Sequence, residues 1–440
     1  MKILFVSLGC DKNSVDSQVM LGVLSKAGHS FVDDETEAEA VIINTCCFIN
    51  DAKEESIETI IEFGRMRTAG EIRALIVTGC LGQRYTSQIH TELPEVDAIV
   101  GIASINRISD ALDLVLRGTP RDFLDPLNTP IHANHKRVIT SGGFYDYLKI
   151  AEGCDKHCTY CVIPKIRGSY RSALIDELVA EATELANSGV KELILVAQET
   201  TVYGVDLYGK KSLPELLHKL CTIDGLEIIR LLYCYPEEIT DELIECVKSE
   251  PKIAHYLDMP IQSGADRILK LMGRRTTADE IRSLVDKLRN AIPDICLRTT
   301  LITGFPGETA EDHKETMRFV SDMEFDHLGV FMYSQEEDTP AAKMKNQVPK
   351  FVKKKRYKQL MELQQPIAFK KTEEMVGRKV KAIVEGAIPE DRIYVGRTYK
   401  DAPSVDGYLF INSEHELISG DIVEVLITDA NEYDLIGELV

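Results

Sequence analysis

Three cysteines lie within eight residues, Cys154, Cys158 and Cys161, in the stretch Gly153-Cys154-Asp155-Lys156-His157-Cys158-Thr159-Tyr160-Cys161. Their spacing is Cys-x3-Cys-x2-Cys. A structural zinc site asks for four ligands, with Cys or His in pairs, and no fourth ligand follows at such a spacing. Three thiolates on a tight loop suit a 4Fe–4S cluster with one iron left open. An open iron is a place for chemistry, whereas a fully ligated cluster only carries electrons. The plainer alternative is three unconnected thiols, although free cysteines are usually scattered rather than grouped by loop spacing. Asp155, Lys156 and His157 inside the loop read as surface residues, facing solvent or substrate.

A second set of three depends on the fold. Lys2–Leu8, Val41–Thr45 and Ala74–Thr78 are short and rich in Val, Ile and Leu, and Ser14–Ala27 and Asp51–Arg67 between them carry helical spacing. Such alternation implies a parallel sheet. Each strand runs into a cysteine: Cys10 after Gly9, Cys46 after Thr45, Cys80 after Gly79. The carboxyl ends of parallel strands share one edge, where open α/β sheets bind ligands. The expectation is a second three-thiolate site with an open iron. Zinc is the alternative and would need a fourth ligand, for which no residue is obvious. Adjacent residues of an extended backbone point oppositely, so Cys47, beside Cys46, is expected to be a structural thiol.

The expected fold class is α/β, with an open parallel-sheet domain over residues 1–120 and a Pro-containing linker over 121–139. Residues 140–373 repeat strand then helix, with strands at Tyr147–Ala151, Glu192–Ala197, Glu227–Leu232, His255–Met259, Leu297–Ile302 and Leu328–Tyr333. Six βα units match a partial TIM-type barrel, whose chemistry belongs at the carboxyl ends of its strands. The cysteine loop is expected directly after the first of them. The helical stretch 346–374 is locally basic and reads as a solvated face. Residues 374–440 hold five short strands, Val380–Val384, Tyr394–Arg397, Tyr408–Ile411, Ile422–Ile427 and Leu435–Leu439, which suggest a small all-β barrel.

Composition sets the bounds. The 440 residues are 28% charged and 44% hydrophobic, an ordinary globular balance, and the net charge is −20. That charge argues against nucleic acid and is compatible with a basic protein partner. No apolar run approaches a membrane span and the N-terminus reads as a strand, so a cytoplasmic protein is expected. In a reducing compartment the eleven cysteines are metal ligands or buried thiols rather than disulfides.

The cysteine loop, with Tyr160 before its last cysteine, resembles the radical S-adenosylmethionine (SAM) family. The resemblance implies that Cys154, Cys158 and Cys161 hold a 4Fe–4S cluster whose open iron chelates SAM. Reduction then yields a radical able to attack a C–H bond that no general base could deprotonate. Thr299-Thr300-Leu301-Ile302-Thr303-Gly304-Phe305-Pro306-Gly307 resembles that family's adenine-contacting segment. Glu199, after the second strand, and Gln262, after the fourth, would line the same pocket. Thr300, Gly304, Glu199 and Gln262 are thus the expected SAM contacts.

The whole order, an N-terminal three-cysteine domain, a radical SAM barrel and a small terminal TRAM barrel, resembles the methylthiotransferases. The resemblance implies a second, auxiliary 4Fe–4S cluster on Cys10, Cys46 and Cys80, an external sulfur source and a reductant. One branch of the family modifies a purine of transfer RNA. The other modifies an aspartate of the small-subunit ribosomal protein, number twelve, that lines the decoding centre. Ser7-Leu8-Gly9-Cys10-Asp11-Lys12-Asn13-Ser14-Val15-Asp16-Ser17, with Asp11 where Pro is usual, resembles the protein-modifying branch. So do Ala197-Gln198-Glu199-Thr200-Thr201-Val202-Tyr203-Gly204, Val395-Gly396-Arg397-Thr398 and Ala402-Pro403-Ser404-Val405-Asp406-Gly407. From Met375 on, six bases face thirteen acids, which disfavours transfer RNA and suits a basic ribosomal protein or the subunit that carries it. The implied reaction is methylthiolation at an aspartyl β-carbon, with an electron donor as further partner. The alternatives are a transfer RNA methylthiotransferase and a non-catalytic iron–sulfur adaptor of the ribosome.

Overall fold

The β-rich runs of the first hundred residues do form strands, and all pair in parallel. The computed structural model describes residues 1–133, 136–388 and 392–440. Strands β1 (Lys2–Ser7), β2 (Ser30–Phe31), β3 (Ala40–Thr45), β4 (Ala74–Thr78) and β5 (Ala98–Val100) make a sheet of order β2-β1-β3-β4-β5. Helices α1 (Asp11–Lys26), α2 (Asn50–Ala69), α3 (Gly79–Glu92) and α4 (Ile108–Leu116) cover its two faces. β3 and β4 are buried along their whole length, as the central strands of a doubly covered sheet must be. β2 and β5 add to the three expected strands. They are too short for alternation to betray them.

The second sheet is built from β6 (Tyr145–Lys149), β9 (Glu192–Val196), β10 (Ile228–Leu231), β11 (Ile253–Gln262), β12 (Cys296–Thr303) and β13 (His327–Met332), in the order β13-β12-β11-β10-β9-β6. Between β6 and β9 stand the small hairpin β7 (Ala151–Glu152) and β8 (Arg171–Ser172), the short α5 (Ile163–Arg167) and α6 (Ile175–Asn187). The cysteine loop therefore follows the hairpin strand β7 and not the first barrel strand directly. The remaining crossovers are α7 (Val205–Tyr208), α8 (Leu213–Cys221), α9 (Asp241–Ser249), α10 (Asp266–Met272), α11 (Ala278–Ala291) and α12 (Ala310–Met323), and α13 (Lys350–Glu373) follows β13. The open barrel encloses one apolar core of Leu, Ile and Val between sheet and helices, including Leu195, Leu231, Leu257 and Leu297.

The chain between the two sheets is packed, not loose. Phe123 bridges to Val100 and lies in the first sheet's core. Gly22 of α1 lets the Lys136 carbonyl approach to 1.9 Å of where a Cβ would stand. Of the expected linker, Asn134 and His135 lie outside the described residues, as do Glu390 and Asp391 of the terminal acids.

The last five strands, β14 (Lys379–Ile388), β15 (Ile393–Thr398), β16 (Leu409–Asn412), β17 (Ile422–Asn431) and β18 (Asp434–Leu439), close into a barrel. It docks at the amino-terminal edge of the second sheet. Glu192, the first residue of β9, accepts from Arg230 (2.7 Å) and from Arg397 of β15 (2.6 Å). Asp406 accepts from Tyr256 (2.7 Å) and Arg298 (3.3 Å). Part of the terminal acidity is thus engaged in docking, and the barrel sits at the end of the sheet away from the cysteine loop. A direct contact between its acids and a substrate at the other edge is not what this placement offers.

Candidate functional site

Cys10 is the residue before α1, Cys46 follows β3 and Cys80 is the second residue of α3, after β4. β1, β3 and β4 are neighbours, so the three cysteines share one sheet edge. Two glycines let the loops close on each other. Gly9, at φ +96°, has no Cβ where one would lie 2.7 Å from Cys46 Cβ, and Gly79, at φ +86°, has none where it would meet the Thr45 carbonyl at 2.4 Å. Asn13 ties the loops together: its Nδ2 donates to the carbonyls of Leu8 and Thr45, both at 3.0 Å. Cys46 is fixed through Ser56, whose Oγ accepts from its N–H (3.0 Å) and donates to its carbonyl (2.9 Å). Cys47 is fully buried among the apolar side chains of the sheet's core, and burial pushes its thiol up to about 12.

The second triad rests on the hairpin. Gly153, at φ +81°, lies where a Cβ would be 2.1 Å from the Ser169 carbonyl. The loop is pinned by Cys154 N–H to Gly168 (3.2 Å), Cys161 N–H to Cys158 (3.0 Å) and Thr159 N–H to Met272 (2.9 Å). Tyr160 packs beside Ile268, Met272 and Phe305. His157 is exposed and takes φ +53°. Lys156 departs from the surface role expected for it: it pairs with Glu199 at 3.4 Å and with Glu238.

Burial pushes Cys80 and Cys154 each up to about 11 and raises Cys46 and Cys161 as well. Within each triad the neighbouring thiols add to the effect. Iron binding must therefore drive off their protons. Among the described residues no three His, Cys, Asp or Glu side chains stand close enough to hold a single ion. Thiolates on three separate irons of one cluster need not stand so close, and three thiols at each site are the donor type that a cluster takes.

The two cysteine sites face the same segment, Tyr233–Tyr235 after β10. Tyr233, at φ +60°, donates to Asp11 beside Cys10 (3.1 Å), and the Lys12 ammonium lies 3.2 Å from its ring centre. Tyr235 lies under the Arg274 guanidinium (4.2 Å), next to Cys158 and Tyr160. Non-glycine residues at positive φ collect where function holds strain. Of the nine among the described residues, His157, Tyr233 and Gln262 lie at this edge.

The expected SAM contacts differ in character. Glu199 is buried after β9. Burial pushes its carboxyl up to about 7 against the pull of Lys156, and Oε2 has no hydrogen-bond partner. Gln262, at φ +79°, ends β11 with Oε1 also unpartnered. The unpartnered Gln262 Oε1, and a Glu199 Oε2 met only by the Lys156 ammonium at 3.4 Å, fit a ligand that brings donors. Alternation along β12 puts Thr300 on the same face as Arg298 and Ile302. Gly304, at φ +73°, also makes room for α13, because a Cβ there would meet Lys353 Cγ at 2.3 Å.

Sequence reasoning missed Arg167. It is buried, and donates to Asp16 (3.0 Å), Glu152 (2.9 Å), Asn13 and the Cys80 sulfur (3.3 Å). Lys149 completes the network by reaching Asp16 and Glu152, the latter at 2.9 Å. The fork in Ile-Pro-Lys-Ile-Arg-Gly thus ties the first cysteine site to the hairpin that carries the second.

Comparison with known proteins agrees with this architecture. Residues 2–101 match the Uncharacterized protein family UPF0004, 148–320 the Radical SAM superfamily and 376–440 the TRAM domain. The chain is 60% identical over 437 residues to the ribosomal protein uS12 methylthiotransferase RimO of Lachnoclostridium phytofermentans, covering 99% of each. It is 46% identical to that of Clostridioides difficile, covering 100% of this chain and 99% of the relative. Among solved structures, the radical S-adenosylmethionine methyltransferase TsrM of Kitasatospora setae, with cobalamin and a [4Fe-4S] cluster bound, superposes with a TM-score of 0.56 at 15% identity, over 77% of this chain and 76% of that one. That likeness speaks to the fold alone. With relatives matched nearly end to end, this chain belongs to the family of ribosomal protein uS12 methylthiotransferases, RimO.

Proposed function

We propose that this chain is a radical SAM methylthiotransferase that places a methylthio group on the β-carbon of an aspartate in ribosomal protein uS12. The observation that carries the reading is the pair of three-thiol sites, one on the first sheet's edge and one on the hairpin loop, with Tyr233–Tyr235 between them. Cys154, Cys158 and Cys161 would hold the SAM-binding 4Fe–4S cluster, and Cys10, Cys46 and Cys80 the auxiliary one. Bound together and reduced by an external donor, these groups supply a radical that removes an unactivated hydrogen and a sulfur centre that receives a methyl group from a second SAM.

The chain's own residues do the positioning. Glu199 accepts from the SAM ammonium, a charge-assisted contact in a dry setting. The Gln262 amide, whose Oε1 has no partner, and Thr300 would orient the remainder. Gly304 fixes the turn after β12, holding its N–H on Glu308 (2.8 Å). Tyr233 and Tyr235 exclude water from the space between the triads, which protects a reactive intermediate from side reactions. Asn13 and Arg167 keep the auxiliary cysteines in register with the barrel. Among the described residues no helix is long and apolar enough to cross a membrane, and a ribosomal substrate places the work in the cytoplasm.

The test is anaerobic reconstitution, an iron count, and mass spectrometry of uS12 after incubation with SAM, sulfide and a reductant. About eight irons per chain are expected, with one methylthio group gained on uS12. A gain on transfer RNA alone, or no 5′-deoxyadenosine despite bound iron, rejects the reading.

A further inference from the structure

Between Lys343 and Lys358 the chain has eight bases and no acid, although its net charge is −20. Two of the eight are anchors. Lys353 donates to the Tyr333 carbonyl (2.6 Å), and Arg356 binds Glu308 (2.7 Å). Glu308 in turn holds the N–H groups of Gly304 and Phe305, and Gly307 donates to the Asn346 carbonyl (2.9 Å). The whole basic segment is thus fastened to the loop after β12, at the rim of the edge that carries the cysteines.

The other six, Lys343, Lys345, Lys350, Lys354, Lys355 and Lys358, are exposed. Of these only Lys358 has a carboxylate partner among the described residues, the exposed Glu362 at 3.5 Å. Positions 350, 354 and 358, with 351 and 355, follow one helix face. Phe351 on that face is 75% exposed. Helix stability does not explain the arrangement. The first turn of α13 has no acid and its cap residue is Pro349, so the lysines there oppose the helix dipole. Membrane binding does not suit it either. The apolar side of α13, with Leu360 and Ala368, is buried, and an interfacial helix needs that side free.

We infer that the exposed face of Lys343–Lys358 docks on RNA phosphates beside the catalytic mouth, so that the enzyme takes uS12 on the RNA-bearing ribosomal subunit. The inference rests on the proposed uS12 activity and names the form of its substrate. A basic stripe with an exposed aromatic is the footprint of a nucleic-acid backbone. Across the same rim, α2 begins just after Cys46 with Asp51, Glu54, Glu55 and Glu58 exposed, and Lys53 of that turn reaches Glu336 in the loop after β13 (3.5 Å). One wall of the mouth is acidic and the other basic. That is complementary to a basic protein loop seated on RNA.

The test compares the full-length enzyme with a variant carrying Lys350→Glu, Lys354→Glu and Lys355→Glu. Among the described residues these side chains make no hydrogen bond or ion pair, and glutamate in a helix's first turn favours the dipole, so the variant should fold. Binding to purified small ribosomal subunits is measured across a salt series. The variant should bind at least about tenfold more weakly, with a log–log salt slope shallower by about two to three. Its rate on isolated uS12 should equal the wild type's, while its rate on subunits falls. Equal binding and equal salt slopes would overturn the inference, as would wild-type enzyme that binds anionic phosphatidylglycerol vesicles but not subunits. Wild-type enzyme that binds subunits yet methylthiolates uS12 in neither form would instead sink the proposed activity and leave the RNA surface standing.

Discussion

Arg167→Met tests the connection between the two cysteine sites. The guanidinium is buried with Asp16 of α1 and Glu152 of the hairpin, and Lys149 is the other cation. Burial lowers the proton affinity of Arg167 and Lys149, but the surrounding anions more than restore it. Burial likewise raises Glu152, but Arg167 and Lys149 hold it well below the usual carboxylate range. Two charges of each sign therefore balance. Methionine fills similar space and leaves two buried carboxylates with one cation. Removing one partner of a buried pair costs about 3–5 kcal/mol. Lys149 still reaches both acids, so the loss belongs at the low end, about 3 kcal/mol. That is about a hundredfold in the equilibrium for opening the seam between the first sheet and the hairpin. Native-state hydrogen exchange of the cluster-free protein reads it directly, as faster exchange in α1 and the hairpin with the terminal barrel unchanged. Arg167→Lys keeps the charge and loses the fork to Asn13 and Cys80, so it should fall between. Less than about threefold acceleration in Arg167→Met would mean that the network does not hold the seam, and the reasoning fails.

Three further outcomes are expected. Glu199→Gln removes a charge-assisted acceptor worth about 1.5–3 kcal/mol, so SAM affinity of the cluster-loaded enzyme, read by equilibrium dialysis, should weaken at least about tenfold; unchanged affinity dismisses Glu199 as a contact. Gly153→Ala puts a Cβ against the Ser169 carbonyl at 2.1 Å, so the reconstituted protein should lose about half its iron while the auxiliary signal persists; full iron content refutes it. At Glu192, burial raises the carboxyl but Arg397 and Arg230 more than offset it, leaving it below the ordinary range. Its stabilisation of barrel docking is therefore fully present above the unfolded value of about 4.3 and is lost as pH falls through the lower folded one. Protease sensitivity at the terminal-barrel junction should rise on that acid limb and be pH-independent there in Glu192→Gln.

What could be read from the sequence was local. Val41–Thr45 and Ala74–Thr78 declare themselves as strands because whole-length burial demands continuous apolar runs, and that alone carries Cys46 and Cys80 to a common edge. The three-cysteine loop is legible because its ligands are nearly adjacent. Arg167 was not legible, since its partners Asp16 and Asn13 lie about 150 residues away, and no periodicity encodes a contact at that separation. Tyr233 and Lys156 escaped for the same reason. The hairpin Ala151–Glu152 is only two residues per strand and merges in sequence with the strand before it. Gly304 was legible as a required glycine, but the lysine of α13 packed against it was not.

The position of the terminal barrel changes what its acidity means. At the amino-terminal edge of the sheet it cannot steer a substrate into the mouth by contact. Its surplus of seven acids instead gives the molecule a negative end, opposite a rim where, among the described residues, five of six exposed lysines have no carboxylate partner. A phosphate-rich particle is repelled from the first and drawn to the second, so encounters are biased toward the catalytic edge before any contact forms. Bulk charge and local charge then have separate jobs. The −20 total discourages binding to RNA at large, and the rim restores it only beside the edge that carries the cysteines.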